Sequence, residues 1–215
     1  MTESADGTTT RHVEVEIKFD VLDSTPAPQF EALPIIKKVE RQPVQILQAV
    51  YFDTPARDLI VHRITLRRRT GGHDAGWHLK RPADDNARTE IRAALADGPD
   101  TEVPAALREA VSPIVHDRPL EPIAWITNHR TVHVLHGRDG IPLAEFCDDH
   151  VTASTGPHGI EQRWREWEIE LAEDMATRGD RGVELMKRLS AVTAEAGAVP
   201  AKHSSKLARA LGLRP

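Results

Sequence analysis

The chain has 215 residues, 40% of them hydrophobic and 28% charged, an ordinary soluble globular composition that suits one large domain, or one domain with a small helical appendage. Its net charge of −5 argues against a general nucleic-acid or membrane-surface binder, and with Cys147 as the single cysteine no intrachain disulfide is available. The polar N-terminus lacks the apolar core of a secretory signal and no run of about eighteen apolar residues exists, so a cytoplasmic setting is expected.

In chain order, residues 1–11 read as disordered and 12–215 as a single domain. Residues 13–19, Val-Glu-Val-Glu-Ile-Lys-Phe, alternate as a strand. One face carries Glu14, Glu16 and Lys18, the other Val13, Val15, Ile17 and Phe19. A helix is predicted over 27–39, followed by strands over 45–53, 62–69, 75–80 and 87–93 and a helix over 102–111. Strands over 123–136, 141–149 and 162–172 come next, and then helices over 179–197 and 204–212. Ser204 is the candidate N-cap of the last helix and Gly212 its stop. With mostly short connections, these eight strands predict an α+β fold. The expected form is an eight-stranded antiparallel β-barrel with helices packed outside, because closure removes exposed edges.

The two faces of most strands separate by charge. Arg67 and Arg69 oppose Ile64, Leu66 and Arg68; His78 and Lys80 oppose Trp77 and Leu79; Arg88, Glu90 and Arg92 oppose Thr89 and Ile91. Glu145, Cys147 and Asp149 oppose Ala144 and Phe146, while Glu166, Glu168 and Glu170 oppose Trp167, Ile169 and Leu171. Arg130, among Asn128, Val132 and Val134, has no clear face. In a closed barrel these charges share one lumen. Dehydrated charge costs several kcal/mol unless paired or ligated, so the lumen must stay wet or bind something equally charged.

The signs also segregate by strand. Glu14, Glu16, Glu166, Glu168 and Glu170 lie on the first and eighth strands, where Asp149 can join them; Arg67, Arg69, Lys80 and Arg130 lie elsewhere. Clustered carboxylates require cations, and hard oxygen donors suit Mg²⁺ or Mn²⁺. Arginine suits bidentate contacts with phosphate. A metal-bridged polyphosphate satisfies both walls. The other distinctive residues take structural readings: the eleven histidines show no ligand spacing, Cys147 lines the barrel, Trp164 and Trp167 fix outer packing, and Tyr51 to Pro55 form a strand-ending turn.

Glu14-Val-Glu16-Ile-Lys18 resembles the E-x-E-x-K signature of the CYTH superfamily, the triphosphate tunnel metalloenzymes. Leu66-Arg-Arg-Arg69, Trp77-His-Leu-Lys80, Arg88-Thr-Glu90, Arg130, Glu145-Phe-Cys-Asp-Asp149, Glu166-Trp-Glu-Ile-Glu-Leu171 and Ser204-Ser-Lys206 follow in the family's order. The resemblance implies a triphosphate tunnel in which Glu14, Glu16, Asp149, Glu168 and Glu170 hold Mg²⁺ or Mn²⁺. By the same matching Lys18, Arg67, Arg69, Lys80, Arg88, Arg130 and Lys206 grip phosphate, Glu90 organises the wall, and Glu14 or Glu16 accepts a proton. Asp148 competes with Asp149, with spacing from Glu145 favouring Asp149. The implied activity is metal-dependent hydrolysis of inorganic triphosphate or a related compound, on a small-molecule substrate and with a homodimer possible. A class IV-type adenylate cyclase and a non-catalytic polyphosphate- or triphosphate-binding module are the alternatives. The chain is expected to stand alone or to be one part of a longer protein that continues into a helical CHAD domain.

Overall fold

Alternating strands of this kind can bury both faces only by curling round a lumen, and the chain does so. The computed structural model describes residues 10–82, 88–95, 101–156 and 159–213, with backbone alone at 10–14 and 88. Among the described residues there are eleven strands: β1 (Thr10–Glu14), β2 (Glu16–Val21), β3 (Lys38–Arg41), β4 (Gln45–Asp53), β5 (Thr65–Thr70), β6 (Gly76–Pro82), β7 (Arg88–Ala93), β8 (Glu121–His136), β9 (Pro142–Ser154), β10 (Gln162–Leu171) and β11 (Val199–Pro200). The helices are α1 (Asp58–Val61), α2 (Ala105–Val115), α3 (Glu173–Ala176), α4 (Asp180–Glu195) and α5 (Lys206–Ala210). None of them is long and apolar enough to cross a membrane.

All eight expected strands are present in one antiparallel sheet, and the expected α+β tunnel fold is borne out. The order is β1-β7-β6-β5-β4-β8-β9-β10-β2-β11, with β3 beside β8. Closure differs from expectation, because hydrogen bonds do not complete the ring. β1 pairs with β7 at one end of the sheet and β2 with β10 near the other, so the N-terminal strand changes partner at Val15 and joins the two ends covalently. Val15 accepts a backbone hydrogen bond from Leu171 at 3.0 Å.

Four local expectations are corrected. The helix predicted over 27–39 is a single 3₁₀ turn (Phe30–Ala32) followed by β3, since Pro34 lacks the N–H and the steric room to continue a helix. The strand predicted from 62 begins at Thr65, because 58–61 form α1. Asp53 organises that turn, accepting hydrogen bonds from the backbone of Thr54, Leu59 and Ile60 at 2.7, 2.9 and 3.1 Å. The last helix is capped by Ser205, whose Oγ accepts from Ala208 N at 3.1 Å, rather than by Ser204; Gly212, at φ +63°, ends it. Of the stretch expected to be disordered, 1–9 lie outside the described residues, while Thr10 and Arg11 open β1.

Two helical layers lie outside the sheet as expected. α2 packs Leu107, Val111 and Val115 with Phe52, Leu66, Trp77 and Leu79. α3 and α4 pack Met175, Leu185 and Leu189 with Phe19, Phe146, Trp167 and Ile169. α5 does not follow them. Its Leu207 and Ala210 cluster with Ala49, Tyr51, Ile126, Val151 and Trp164, residues of the inner face, so α5 fills one end of the lumen. Trp164 therefore faces inward, contrary to the outer-packing reading, whereas Trp167 is buried outside.

Candidate functional site

Above the α5 plug the inner faces enclose a cavity of about 480 Å³. Ten of the candidate residues line it: Glu16, Lys18, Arg67, Arg69, Lys80, Glu90, Arg130, Glu168, Glu170 and Lys206. Asp149 is fully buried against them. The side chains of Glu14 and Arg88 lie outside the described residues; their backbones are register partners across β1 and β7. The face left open for Arg130 is the inner one, and Asp148 faces outward, where Arg165 holds it by two hydrogen bonds of 2.8 Å.

Register explains the acidic wall. Glu16, Glu170 and Glu145 are cross-strand partners in one row over β2, β10 and β9, and all three line the cavity. The next row is Lys18, Glu168 and Cys147, and the next contains Glu166, Asp149 and Arg130. Like charges directly opposite one another are destabilising, so the Glu16–Glu170–Glu145 row and the Glu166–Asp149 pair need cations. Lys18 Nζ supplies one, 2.8 Å from Glu16 Oε2 and 2.6 Å from Glu168 Oε1. Lys206 supplies a second, 2.7 Å from Asp149 Oδ2 and 2.8 Å from Glu168 Oε1. It also lies 2.7 Å from Glu166 Oε1, at an angle that leaves that oxygen without a hydrogen bond. Arg130 donates Nε to Asp149 Oδ1 at 2.7 Å and Nη2 to Oδ2 at 2.6 Å, and also reaches Glu168.

These contacts decide ionisation. Burial pushes the Glu168 carboxyl up, but Lys18, Lys206 and Arg130 together hold it well below the ordinary glutamate range. Asp149 is lowered likewise, Arg130 and Lys206 outweighing burial. Lys206 is raised well above the ordinary lysine value because Asp149, Glu168 and Glu166 outweigh its own burial. Cys147 is pushed up chiefly by burial, so it is a thiol and no nucleophile.

The opposite wall is basic. Arg67 Nη1 donates to the Tyr51 hydroxyl at 3.2 Å, Arg69 pairs with Asp74, and the Nε–H groups of both arginines are buried without an acceptor among the described residues. Burial, reinforced by Arg67 and Arg130, lowers Arg69 to about 9. Glu90, also buried, is the hub of this wall: Arg92 Nε donates to Oε2 at 2.5 Å, while His78 Nδ1 lies 2.8 Å and Lys80 Nζ 3.9 Å from Oε1. Burial pushes Glu90 up, but the hydrogen bond with His78 and the Lys80 charge hold it below the ordinary glutamate range.

Asp149, Glu166 and Glu168 could hold a metal ion, each offering a carboxylate oxygen within 4.8 Å of the others. These are oxygen-only donors, the set preferred by Mg²⁺ and Mn²⁺, and Lys206 already gives them one positive charge. Glu166 was identified as acidic-face but not as a ligand. Arg92 and Glu145 line the cavity as their strand faces predict, and Tyr51, Asp74 and Asn128 line it without a sequence prediction. The strand alternation around Arg92 and Glu145 carried that signal; nothing comparable marked the other three.

The CYTH domain matches residues 12–197. Two uncharacterized proteins of Mycobacterium tuberculosis, from strains H37Rv and CDC 1551, are 50% identical over 214 residues. That alignment covers 94% of this chain and 40% of theirs, so the chain spans well under half the length of these relatives. A candidate adenylate cyclase of Bacillus halodurans superposes with a TM-score of 0.57 at 21% identity, covering 93% of this chain and 97% of the other. A candidate adenylyl cyclase from Hippeastrum, described as having a dominant triphosphatase activity, superposes with a TM-score of 0.51 at 18% identity over 94% and 97% of the two chains.

Proposed function

Because the chain belongs to the CYTH domain family, we propose that it is a divalent-metal-dependent phosphohydrolase that removes the terminal phosphate of inorganic triphosphate or a related triphosphate compound. Members of the family are metal-dependent enzymes that bind triphosphate-containing small molecules. The observation that carries the finer reading is one cavity with two walls of opposite sign, in which the Nε–H groups of Arg67 and Arg69 have no acceptor among the described residues. Buried donors of that kind call for an anion with several oxygens. The Hippeastrum neighbour, with its dominant triphosphatase activity, supports the same choice.

In this reading Lys18, Arg67, Arg69, Lys80, Arg130 and Lys206 bind the phosphate chain and stabilise charge that shifts on to the leaving group. Glu90 holds the basic wall in place through Arg92, Lys80 and His78. Glu16, Glu168 and Glu170, with Glu14 and Asp149, are the carboxylates that hold Mg²⁺ or Mn²⁺. The ion, when bound, polarises the terminal phosphoryl group and acidifies a water. Glu16 accepts the proton of the attacking water, which approaches in line with the leaving oxygen. With α5 across one end of the lumen, a linear chain enters end-first, which fits removal of a terminal phosphate.

The test is phosphate release from inorganic triphosphate, ATP and thiamine triphosphate with Mg²⁺ or Mn²⁺, beside a Glu16→Ala control. Rapid release from one substrate that the control abolishes is expected. No release from any of them would overturn hydrolysis, and if triphosphate still raised the melting temperature the chain would be a binding module.

A further inference from the structure

His78 is buried in the basic wall with both ring nitrogens against acceptors. Nδ1 lies 2.8 Å from Glu90 Oε1, Nε2 lies 2.9 Å from the backbone carbonyl oxygen of Asp74, and the residue is 1% exposed. A carbonyl oxygen only accepts, as does an ionised carboxylate, whereas a neutral imidazole carries a single N–H. Two acceptors call for two N–H groups, one proton more than a neutral ring beside an ionised Glu90 holds. That proton belongs on the ring rather than on Glu90. Arg92 Nε donates to Glu90 Oε2 and Lys80 Nζ lies beside Oε1, and with them the Glu90 carboxyl stays below the ordinary glutamate range.

The ring faces charge on every packed side. Arg67 on β5 and Arg92 on β7 are its register partners, Arg69 lies two residues further along β5, and Lys80 lies two residues along β6. The anions are Glu90 and the Asp74 carboxylate, which pairs with Arg69. In the protein alone, burial and the charges of Arg67 and Arg69 lower His78 to about 4, so at pH 7 the ring is neutral and one of its two contacts lacks a proton. An anion of several charges on those arginines offsets the cations that keep the proton away. We propose that His78 is a positioning residue of the basic wall, which takes a proton from solvent as the phosphate chain binds and, as an imidazolium, clamps Glu90 to the loop between β5 and β6. The inference rests on the triphosphate reading above. That loop carries Asp74 to Arg69, while Glu90 holds Arg92 and Lys80, so the second N–H locks both halves of the wall in one geometry around the bound chain.

The experiment uses imidotriphosphate with Mg²⁺, in which bridging N–H groups replace the bridging oxygens and prevent turnover. Nitrogen NMR of the ring at pH 6, with the His78 signals assigned by their loss in His78→Gln, should show one protonated nitrogen in the protein alone and two in the complex. Calorimetry in buffers of different ionisation enthalpy should show wild type taking up more protons on binding than His78→Gln, a difference in which the ligand's own protons cancel. By linkage the wild-type affinity should fall about tenfold more than that of the variant between pH 5 and pH 8. A merely structural histidine would lower the affinity of the variant by the same factor at every pH. One protonated nitrogen in the complex, or parallel affinity curves, would overturn the assignment and leave the functional reading standing. If wild type neither hydrolyses inorganic triphosphate nor binds imidotriphosphate, the functional reading falls and this one with it.

Discussion

Lys206 Nζ lies 2.7 Å from Asp149 Oδ2, joining the first residue of α5 to the β9 carboxylate that spacing from Glu145 favours over Asp148. The helix that plugs the lumen thus also delivers its deepest ammonium, which touches Asp149, Glu166 and Glu168 together. Lys206→Met removes that charge and leaves three buried carboxylates with Arg130 and Lys18 as their nearest cations. Breaking a buried pair in this way costs about 3–5 kcal/mol, or a fall in melting temperature on the order of 10 °C for a domain of this size. The same trio could hold a metal ion, so Mg²⁺ should recover more of the melting temperature in Lys206→Met than it adds to wild type. Thermal melts of both proteins with and without the ion check this, and equal gains would count against a metal at the trio.

Chelation separates the metal's chemistry from its contribution to the fold. Glu16, Glu168 and Asp149 already have protein cations at 2.6–2.8 Å in Lys18, Lys206 and Arg130. Removing divalent ions with EDTA should therefore abolish phosphate release while shifting the melting temperature by only about 2 °C or less, at most about 1 kcal/mol. Adding back Mg²⁺ or Mn²⁺ should restore release. A collapse of the fold in EDTA would show the ion to be structural.

The basic wall supplies the third prediction. Arg67 is half-buried, donates to Tyr51 and retains a buried Nε–H without an acceptor among the described residues, so its guanidinium is aimed but not exhausted there. Removing one such preorganised donor costs roughly 10²–10³ in rate where it stabilises developing charge. Arg67→Ala should lose on the order of that factor in kcat/KM for inorganic triphosphate. Tyr51→Phe, which only releases the guanidinium, should lose less than about tenfold. Steady-state kinetics on the two variants provides the comparison, and the reverse ranking would transfer the phosphate contact to the tyrosine.

Much of this site was legible because a strand has a period of two. Glu16, Lys18, Arg67, Arg69, Lys80, Glu90, Glu168 and Glu170 were assigned to inner faces by alternation alone, and alternation does not depend on which strand pairs with which. Arg130 escaped it because Asn128, Val132 and Val134, which share its face of β8, mix polar with apolar residues. The break at Val15 and the inward placement of α5 depend on partners far away in sequence, which no local pattern encodes. The pattern over 27–39 fits a helix, but Pro34 within it stops the turn at Phe30–Ala32. Asp74 and Asn128 are single polar residues whose meaning comes only from what surrounds them.

The last prediction concerns pH and Glu90. Its carboxyl is depressed in the fold by His78, Lys80 and Arg92 against the effect of burial, while the unfolded chain titrates near the ordinary 4.5. A depressed folded value means that the unfolded state binds more protons below that point. The stabilisation is therefore complete above about pH 4.5 and is lost as pH falls from there towards the folded value. Glu90→Gln cannot lose what it lacks. It should melt lower than wild type at pH 7, because Arg92 and Lys80 are left beside a neutral amide, and it should show a shallower fall in melting temperature between about pH 5 and pH 3. The two curves should converge in acid. Parallel curves across that range would mean that Glu90 is no more ionised in the fold than out of it, and that the basic wall is held by packing rather than by its central carboxylate.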